Sequence, residues 1–210
     1  MKTKRLLLIF ALVALMSTMS LAQKFEITPF GGYRTSGSFE LAPNVLNYSN
    51  LKITDGFAFG LSLGYRVSEA LTLEAMWSRT SSSLLAEGQG ADSGNQFDLH
   101  LDQFHLNFLF FVGQRRAAVQ PYILFGLGAT YFNPKSSEAN GETRFSGSLG
   151  GGLIAMFSNM AGIRLQAKWA PTYINTTSGL FVGWWGQPWI IPVNNYMSQG
   201  EFTGGLVFRF

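Results

Sequence analysis

The chain has 210 residues, of which 47% are hydrophobic, 15% aromatic and only 13% charged, with 24 glycines. It contains no cysteine, which excludes disulfides and thiol chemistry. The 15 Lys and Arg exceed the 12 Asp and Glu, but Lys2, Lys4 and Arg5 sit in a targeting segment, so the rest of the chain is balanced at 12 against 12 and carries no basic stripe for nucleic acid.

The start of the chain reads as a secretory signal. Lys2, Lys4 and Arg5 precede an apolar run from Leu6 to Met16, and Ser20-Leu21-Ala22 forms a small-residue cleavage site. The expected domains are a signal peptide over 1–22 and one barrel domain over 23–210. No later stretch is apolar over the roughly 18 residues that a membrane-spanning helix requires.

Beyond Ala22 the pattern is that of sheet. The first strand runs from Lys24 to Arg34, with Phe25, Ile27 and Tyr33 on its apolar face and Pro29 removing one ladder donor. In Phe57-Ala58-Phe59-Gly60-Leu61-Ser62-Leu63-Gly64-Tyr65 every odd residue is bulky and every even one small, the period-two pattern of a strand with two unlike faces. After a turn at Val67-Ser68-Glu69, Leu71, Leu73, Ala75 and Trp77 continue it. A fourth strand runs to Phe111, with Phe104, Leu106, Phe108 and Phe110 opposite Gln103, His105 and Asn107. Its earlier part, Phe97 to Leu101, alternates in the opposite phase, which predicts a bulge near Asp102. Further strands are expected over Tyr122–Phe132, Arg144–Phe157, Gly162–Tyr173 and Gly200–Phe210. Short connections near 67–70, 112–118 and 158–161 alternate with long ones near 35–55, 80–96, 133–143 and 174–199.

Eight strands with this alternation of loop lengths predict an all-β fold: an eight-stranded antiparallel transmembrane β-barrel with short periplasmic turns and long extracellular loops. Residue size decides which face is which. Ala58, Gly60, Ser62, Gly64, Gly126, Gly128, Ser146 and Ser148 suit the narrow inside of a small barrel, whereas the Phe, Leu, Trp and Tyr of the other face suit lipid. Tyr33, Tyr65, Trp77, Tyr131, Tyr173 and Phe210 fall near strand ends, where interfacial girdles belong. The competing architecture is a secreted lipid-binding barrel with its apolar face turned inward.

With the faces so assigned, Glu26, Glu74, His105, Arg164, Lys168 and Glu201 form an interior polar network, and Arg34, Arg66, Arg144 and Arg209 also point inward or to the rims. Lys168 and Glu201 fall on neighbouring strands as candidate partners. Ionised groups in so narrow a lumen must be paired or wetted. A salt-bridged plug implies a barrel with a structural or surface-interaction role. A tube lined by so many charges also suits a narrow pore or a transporter for small, including hydrophobic, molecules. Lipid-modifying catalysis needs a nucleophile, base and orienting acid within reach. The chain has only two histidines, His100 and His105, and no Ser-His pair at a persuasive spacing falls on a strand rim, so no catalytic, cofactor-binding or metal residues are assigned. The last long loop is unusual: Phe181, Trp184, Trp185 and Trp189 make it either a cap over the barrel mouth or an apolar docking loop for a small hydrophobic molecule or a partner.

Three segments carry a family resemblance. Phe25-Glu26-Ile27-Thr28-Pro29-Phe30-Gly31-Gly32-Tyr33-Arg34 resembles the first strand of bacterial outer-membrane barrel domains. Pro121-Tyr122-Ile123-Leu124-Phe125-Gly126-Leu127-Gly128-Ala129-Thr130-Tyr131-Phe132 resembles the fifth strand of small OmpA-like, OmpX and OmpW-like barrels. The terminal Phe202 to Phe210 is similar to the signal read by the barrel assembly machinery, with Leu206, Phe208 and Phe210 at the matching positions. The resemblance implies the outer membrane of a Gram-negative bacterium as location. It also implies outer-membrane lipid and lipopolysaccharide as surroundings, the assembly machinery as a partner, and a monomer.

Overall fold

The computed structural model describes residues 24–36, 38–40, 48–88, 94–113, 117–134, 141–173, 180–184, 187–191 and 196–210. The expected signal peptide therefore lies outside the described residues. The strands are β1 (Phe25–Ser36), β2 (Ser38–Glu40), β3 (Tyr48–Ile53), β4 (Gly56–Arg66), β5 (Leu71–Gly88), β6 (Gly94–Phe111), β7 (Val119–Pro134) and β8 (Glu142–Met156). They continue with β9 (Ala161–Trp169), β10 (Thr172–Tyr173), β11 (Leu180–Trp184), β12 (Gln187–Ile191), β13 (Tyr196–Met197) and β14 (Gln199–Arg209). No helix occurs among the described residues.

Eight of these strands make a closed antiparallel wall in the order β1, β4, β5, β6, β7, β8, β9, β14. Closure is by β1 on β14, from Glu26↔Arg209 to Ser36↔Gln199. The last rung is made by the chain end, where Phe210 N donates to Phe25 O at 2.9 Å and Phe25 N to Phe210 O at 3.3 Å. A closed sheet leaves no unpaired edge, the condition for a β structure to stand in hydrocarbon.

Residue size sorts the faces as the two solvents demand. Phe57 is 64% exposed, Leu61 38% and Leu63 50%, while Ala58 and Ser62 between them are buried. The same exposure marks Phe104, Leu106, Ile123, Phe125, Leu149, Leu165, Phe202 and Phe208 around the wall. A soluble barrel would hide these side chains. Here they lie outside and the polar set is inside, so the secreted lipid-binding architecture does not describe this chain. Glycine lets the inside stay narrow: a side chain at Gly60 would collide with the ring of Phe30, which points into the barrel.

The lower turns are short and locally bonded. In Val67-Ser68-Glu69-Ala70-Leu71 and Phe157-Ser158-Asn159-Met160-Ala161 the first two amides of each turn donate to the carbonyl of its last residue, at 3.0–3.2 Å. The serine Oγ accepts an amide two residues on at 3.3 Å in both, the local bonding that favours serine in turns. Gly113, just after β6, has φ +92°, a conformation glycine adopts without steric cost.

The upper end departs from expectation. β5 and β6 are 18 residues each, well beyond the roughly 9–11 that cross a bilayer. The span from residue 80 to 96, expected to be loop, is thus mostly a rising hairpin, against which β3 also pairs. The bulge expected near Asp102 is absent. β5 and β6 pair without a shift from Leu71↔Phe110 to Leu84↔Phe97, and the register slips only between Leu84 and Leu85. The hydrophobic phase inverts because the solvent changes. Above the hydrocarbon the outward face meets water, so Asp102 and His100 take the outward parity of β6, Asp102 covered there by Arg79 and Trp77, while Leu101 is fully buried inside.

The last hairpin keeps its register past the membrane. Trp169↔Leu149 and Thr172↔Ser146 belong to one alignment of β9 and β10 on β8, interrupted only at Ala170-Pro171. β11 and β12 form a separate two-stranded hairpin, from Leu180↔Ile191 to Trp184↔Gln187.

Candidate functional site

The interior is the most heavily bonded part of the molecule, and it is layered. At mid-height Arg164 of β9 reaches Glu74 of β5, the strand diametrically opposite in the wall order. Arg164 Nη2 donates to Glu74 Oε1 at 3.2 Å, and Nη1 to Oε2. Its Nε donates to Tyr122 Oη at 2.7 Å, and Tyr122 in turn donates to Gln166 Oε1 at 2.9 Å. Asn107 Nδ2 donates to Glu74 Oε1 at 3.1 Å, while Asn107 Oδ1 accepts Ser148 Oγ at 2.7 Å. A void of about 10 Å³ beside Arg164, between Thr28, Ser62 and Met76, is about the size of one water.

A second layer sits higher. Arg34 Nε donates to Glu201 Oε2 at 2.9 Å, and Ser78 Oγ to the same oxygen at 3.3 Å. Lys168 Nζ lies 3.2 Å from Glu201 Oε1 and 3.4 Å from Gln103 Oε1. Gln103 Nε2 donates to Gln199 Oε1 at 2.5 Å, again across opposite strands, β6 and β14. One carboxylate thus serves two cations, all three fully buried or nearly so. His105 contacts Ser146 Oγ through Nε2 at 3.0 Å, but its buried Nδ1 has no hydrogen-bond partner, so no acid orients the ring.

An apolar cluster closes the lower end of this polar column. Below it Leu109, Phe111, Tyr122, Leu124, Ile154 and Val207 pack as a cluster. Above it Leu101, Phe132 and Met197 are buried. At the lower rim Glu26 Oε1 accepts Arg209 Nε at 3.0 Å and lies 3.5 Å from Arg66 Nη2. Arg209 Nη2 also donates to Gln120 Oε1 at 2.8 Å.

The structure therefore places Glu26, Glu74, His105, Arg164, Lys168 and Glu201 inside, but divides them. Glu74 and Arg164 form one centre and Lys168 and Glu201 another. Glu26 belongs to the rim, and His105 bonds Ser146 rather than a charge. Arg34 proves to be the main partner of Glu201. Tyr122, Asn107, Gln103 and Gln199 join the network without a sequence signal stronger than their inward parity. Leu206 and Phe208 point outward, and Phe210 ends the seam with β1. Of the Trp-rich loop, Phe181, Trp184 and Trp189 fall on the β11–β12 hairpin, while Trp185 and the surroundings of all four side chains lie outside the described residues.

One charged cluster faces outward. Asp102 accepts Arg79 Nε at 2.7 Å, Arg79 Nη2 at 2.8 Å and Trp77 Nε1 at 3.2 Å. This caps a carboxylate where the wall emerges from hydrocarbon. Among the described residues no group of three or more His, Asp or Glu is arranged to hold a metal.

A closed eight-stranded antiparallel cylinder, apolar outside and hydrogen-bonded within, is a transmembrane barrel of the outer-membrane type. The chain belongs to the outer membrane protein beta-barrel domain family, whose model matches residues 8–210. Its place is the outer membrane of a Gram-negative bacterium, with the short turns on the periplasmic side. Similar solved structures include Neisserial surface protein A, at 16% identity and a TM-score of 0.58 over 89% of this chain and 97% of that one. OprG of Pseudomonas aeruginosa aligns at 15% identity and 0.56 over 90% and 97%, and the outer membrane protein AlkL at 14% and 0.55 over 90% and 91%. At these identities the likeness is one of fold. No curated protein matches the sequence.

Proposed function

We propose that this protein is a sealed barrel that acts through its surface, as an envelope-structural or surface-interaction protein rather than by conducting solute or by catalysis. The observation that carries this reading is the bridging of the lumen by side chains from opposite walls at two heights, Arg164 to Glu74 and Gln103 to Gln199. A pore needs a wetted path; here the polar groups bond each other across the lumen, above an apolar layer.

The part offered to the outside is the β11–β12 hairpin. From Ala170 to Gly200 the sequence has no charged residue, and two-stranded hairpins are marginal unless they pack against something. Phe181, Trp184, Trp185 and Trp189 are the residues to carry docking of an apolar partner or small molecule. The barrel reaches its site through lipid, lipopolysaccharide and the assembly machinery, with Leu206, Phe208 and Phe210 as the address.

Planar-bilayer recording tests the sealed lumen. The expected trace shows no channel events above the protein-free bilayer, and discrete openings would overturn the reading in favour of a narrow transporter. For the hairpin, a chain lacking residues 181–191 should still fold and show altered retention of hydrophobic probes on whole cells. Unchanged retention in a folded deletion removes the docking role.

A further inference from the structure

We propose that the periplasmic mouth of the barrel is a blind binding site for a short peptide-like chain that ends in a free carboxylate. A cavity of about 580 Å³ opens there, in the size range of small-ligand sites. Its polar lining includes Arg66, Arg209, Gln120 and Ser158, and its apolar lining Ala118 and Met156.

The cavity has a floor. Met156 lines it and also packs against the apolar cluster of Phe111, Tyr122, Ile154 and Val207, which separates the mouth from the polar column above. What enters from the periplasm is therefore held rather than passed on.

Its charge is unbalanced at the inner wall. Two guanidinium groups, Arg66 and Arg209, share one internal carboxylate, Glu26. Arg209 is nearly buried and spends Nε on Glu26 and Nη2 on Gln120. Among the described residues, Arg66 has the 3.5 Å approach to Glu26 as its ion pair, and its buried Nε has no hydrogen-bond partner there. A buried, unpaired guanidinium N–H is costly, and a planar fork beside a second cation matches an incoming carboxylate in two-point geometry. Glu69 also lines the cavity, but on the exposed turn, where it repels anions less than the inner pair attracts them.

The size of the site selects a chain over a bare ion. One phosphate would leave most of the volume empty. A peptide of two or three small residues would set its terminal carboxylate on Arg66, its amides near Gln120 and Ser158, and its side chains on Ala118 and Met156.

The test uses the barrel purified from outer membranes in detergent, with N-acetyl-Ala-Ala-Ala and its C-terminal amide as probes, followed by calorimetry and by backbone amide shifts. The acid should bind saturably, shifting amides of 66–70, 117–121 and 157–161, and the amide about tenfold more weakly, the worth of one charge-assisted bond. Arg66→Gln should lose a similar factor, and Met156→Trp should weaken binding by intruding on the apolar wall against which the peptide side chains rest, while both arginines remain. Both variants are first shown to keep the heat-resistant gel mobility of the folded barrel. Equal affinity for acid and amide, undiminished binding to Arg66→Gln, or displacement by inorganic phosphate at equal concentration would overturn the proposal.

Discussion

At the level of single residues, the interior is a set of charges that exist only in company. Glu74 takes Arg164 from across the barrel and Asn107 from the next strand. Removing a buried partner leaves the other uncompensated, at a cost of about 3–5 kcal/mol, whereas replacing both with apolar residues of similar volume is often neutral or better. Glu74→Ala should therefore lower the unfolding free energy of the refolded barrel, read by urea titration, by that order, and Glu74→Met with Arg164→Met should recover most of it. Failure of the double variant to recover would mean that the water-sized void and the Tyr122 and Gln166 bonds carry the layer instead. Glu201→Ala should cost more than Glu74→Ala, because it strands two cations, Arg34 and Lys168. Gln103→Ala leaves Gln199 Oε1 and one Lys168 N–H short of a partner but strands no whole charge, so its effect should be smaller than that of Glu201→Ala, at about 1–3 kcal/mol.

At the level of the strand, β14 shows how side chain and backbone divide their tasks. Its closing rung to β1 uses the main chain of Phe210 and Phe25, so a changed side chain at 210 leaves closure intact. Phe210→Ser is accordingly predicted to lower the amount reaching the outer membrane, by immunoblot of membrane fractions, while the unfolding free energy of the inserted fraction shifts by about 0.5 kcal/mol or less, the scale of surface changes. Equal membrane levels of variant and parent would remove Phe210 from the assembly signal. Strand existence was legible in the sequence because inside and outside differ in residue size: Phe57 to Tyr65 alone specifies β4 and both of its faces. Strand ends were not, because alternation reports the solvent, and β5 and β6 run on into water, where the polarity of the two faces inverts. Leu101 beside Asp102 looks like a bulge when one solvent is assumed and like an unbroken strand when there are two. The site was legible by parity, which put six charged or imidazole side chains inside. Their partners across the diameter were not, since Arg164 and Glu74 stand 90 positions apart and only the shape of the closed wall brings them together. Lys168 and Glu201 could be matched because they sit on adjacent strands.

For the molecule as a whole, the question is which solvent each surface meets, and charge follows the same division as bulk. Among the described residues, the periplasmic end carries Lys24, Arg66 and Arg209 against Glu26 and Glu69. Among the described residues, Glu40, Asp55, Glu87, Asp98 and Glu142 lie toward the other end of the wall against Lys52 and Arg144, with the Asp102–Arg79 pair at the boundary. Between them the outer face of β4 shows hydrocarbon only Phe57, Phe59, Leu61, Leu63 and Tyr65. Two substitutions at Leu61, midway along β4, distinguish lipid from a packed protein interior. Leu61→Lys should destabilise by about 2–4 kcal/mol at the bilayer midplane, falling to about 0–1 kcal/mol for Val67→Lys at the periplasmic interface. A charge there would also be costly inside a soluble core, so the deciding variant is Leu61→Trp. Overpacking a close-packed interior costs about 1–3 kcal/mol, but lipid has no fixed neighbours to displace, and the indole should be accommodated with little change. Urea titration in liposomes reads both. A penalty for tryptophan comparable to that for lysine would mean that Leu61 is enclosed by protein, and the outward orientation of the entire apolar face would have to be abandoned.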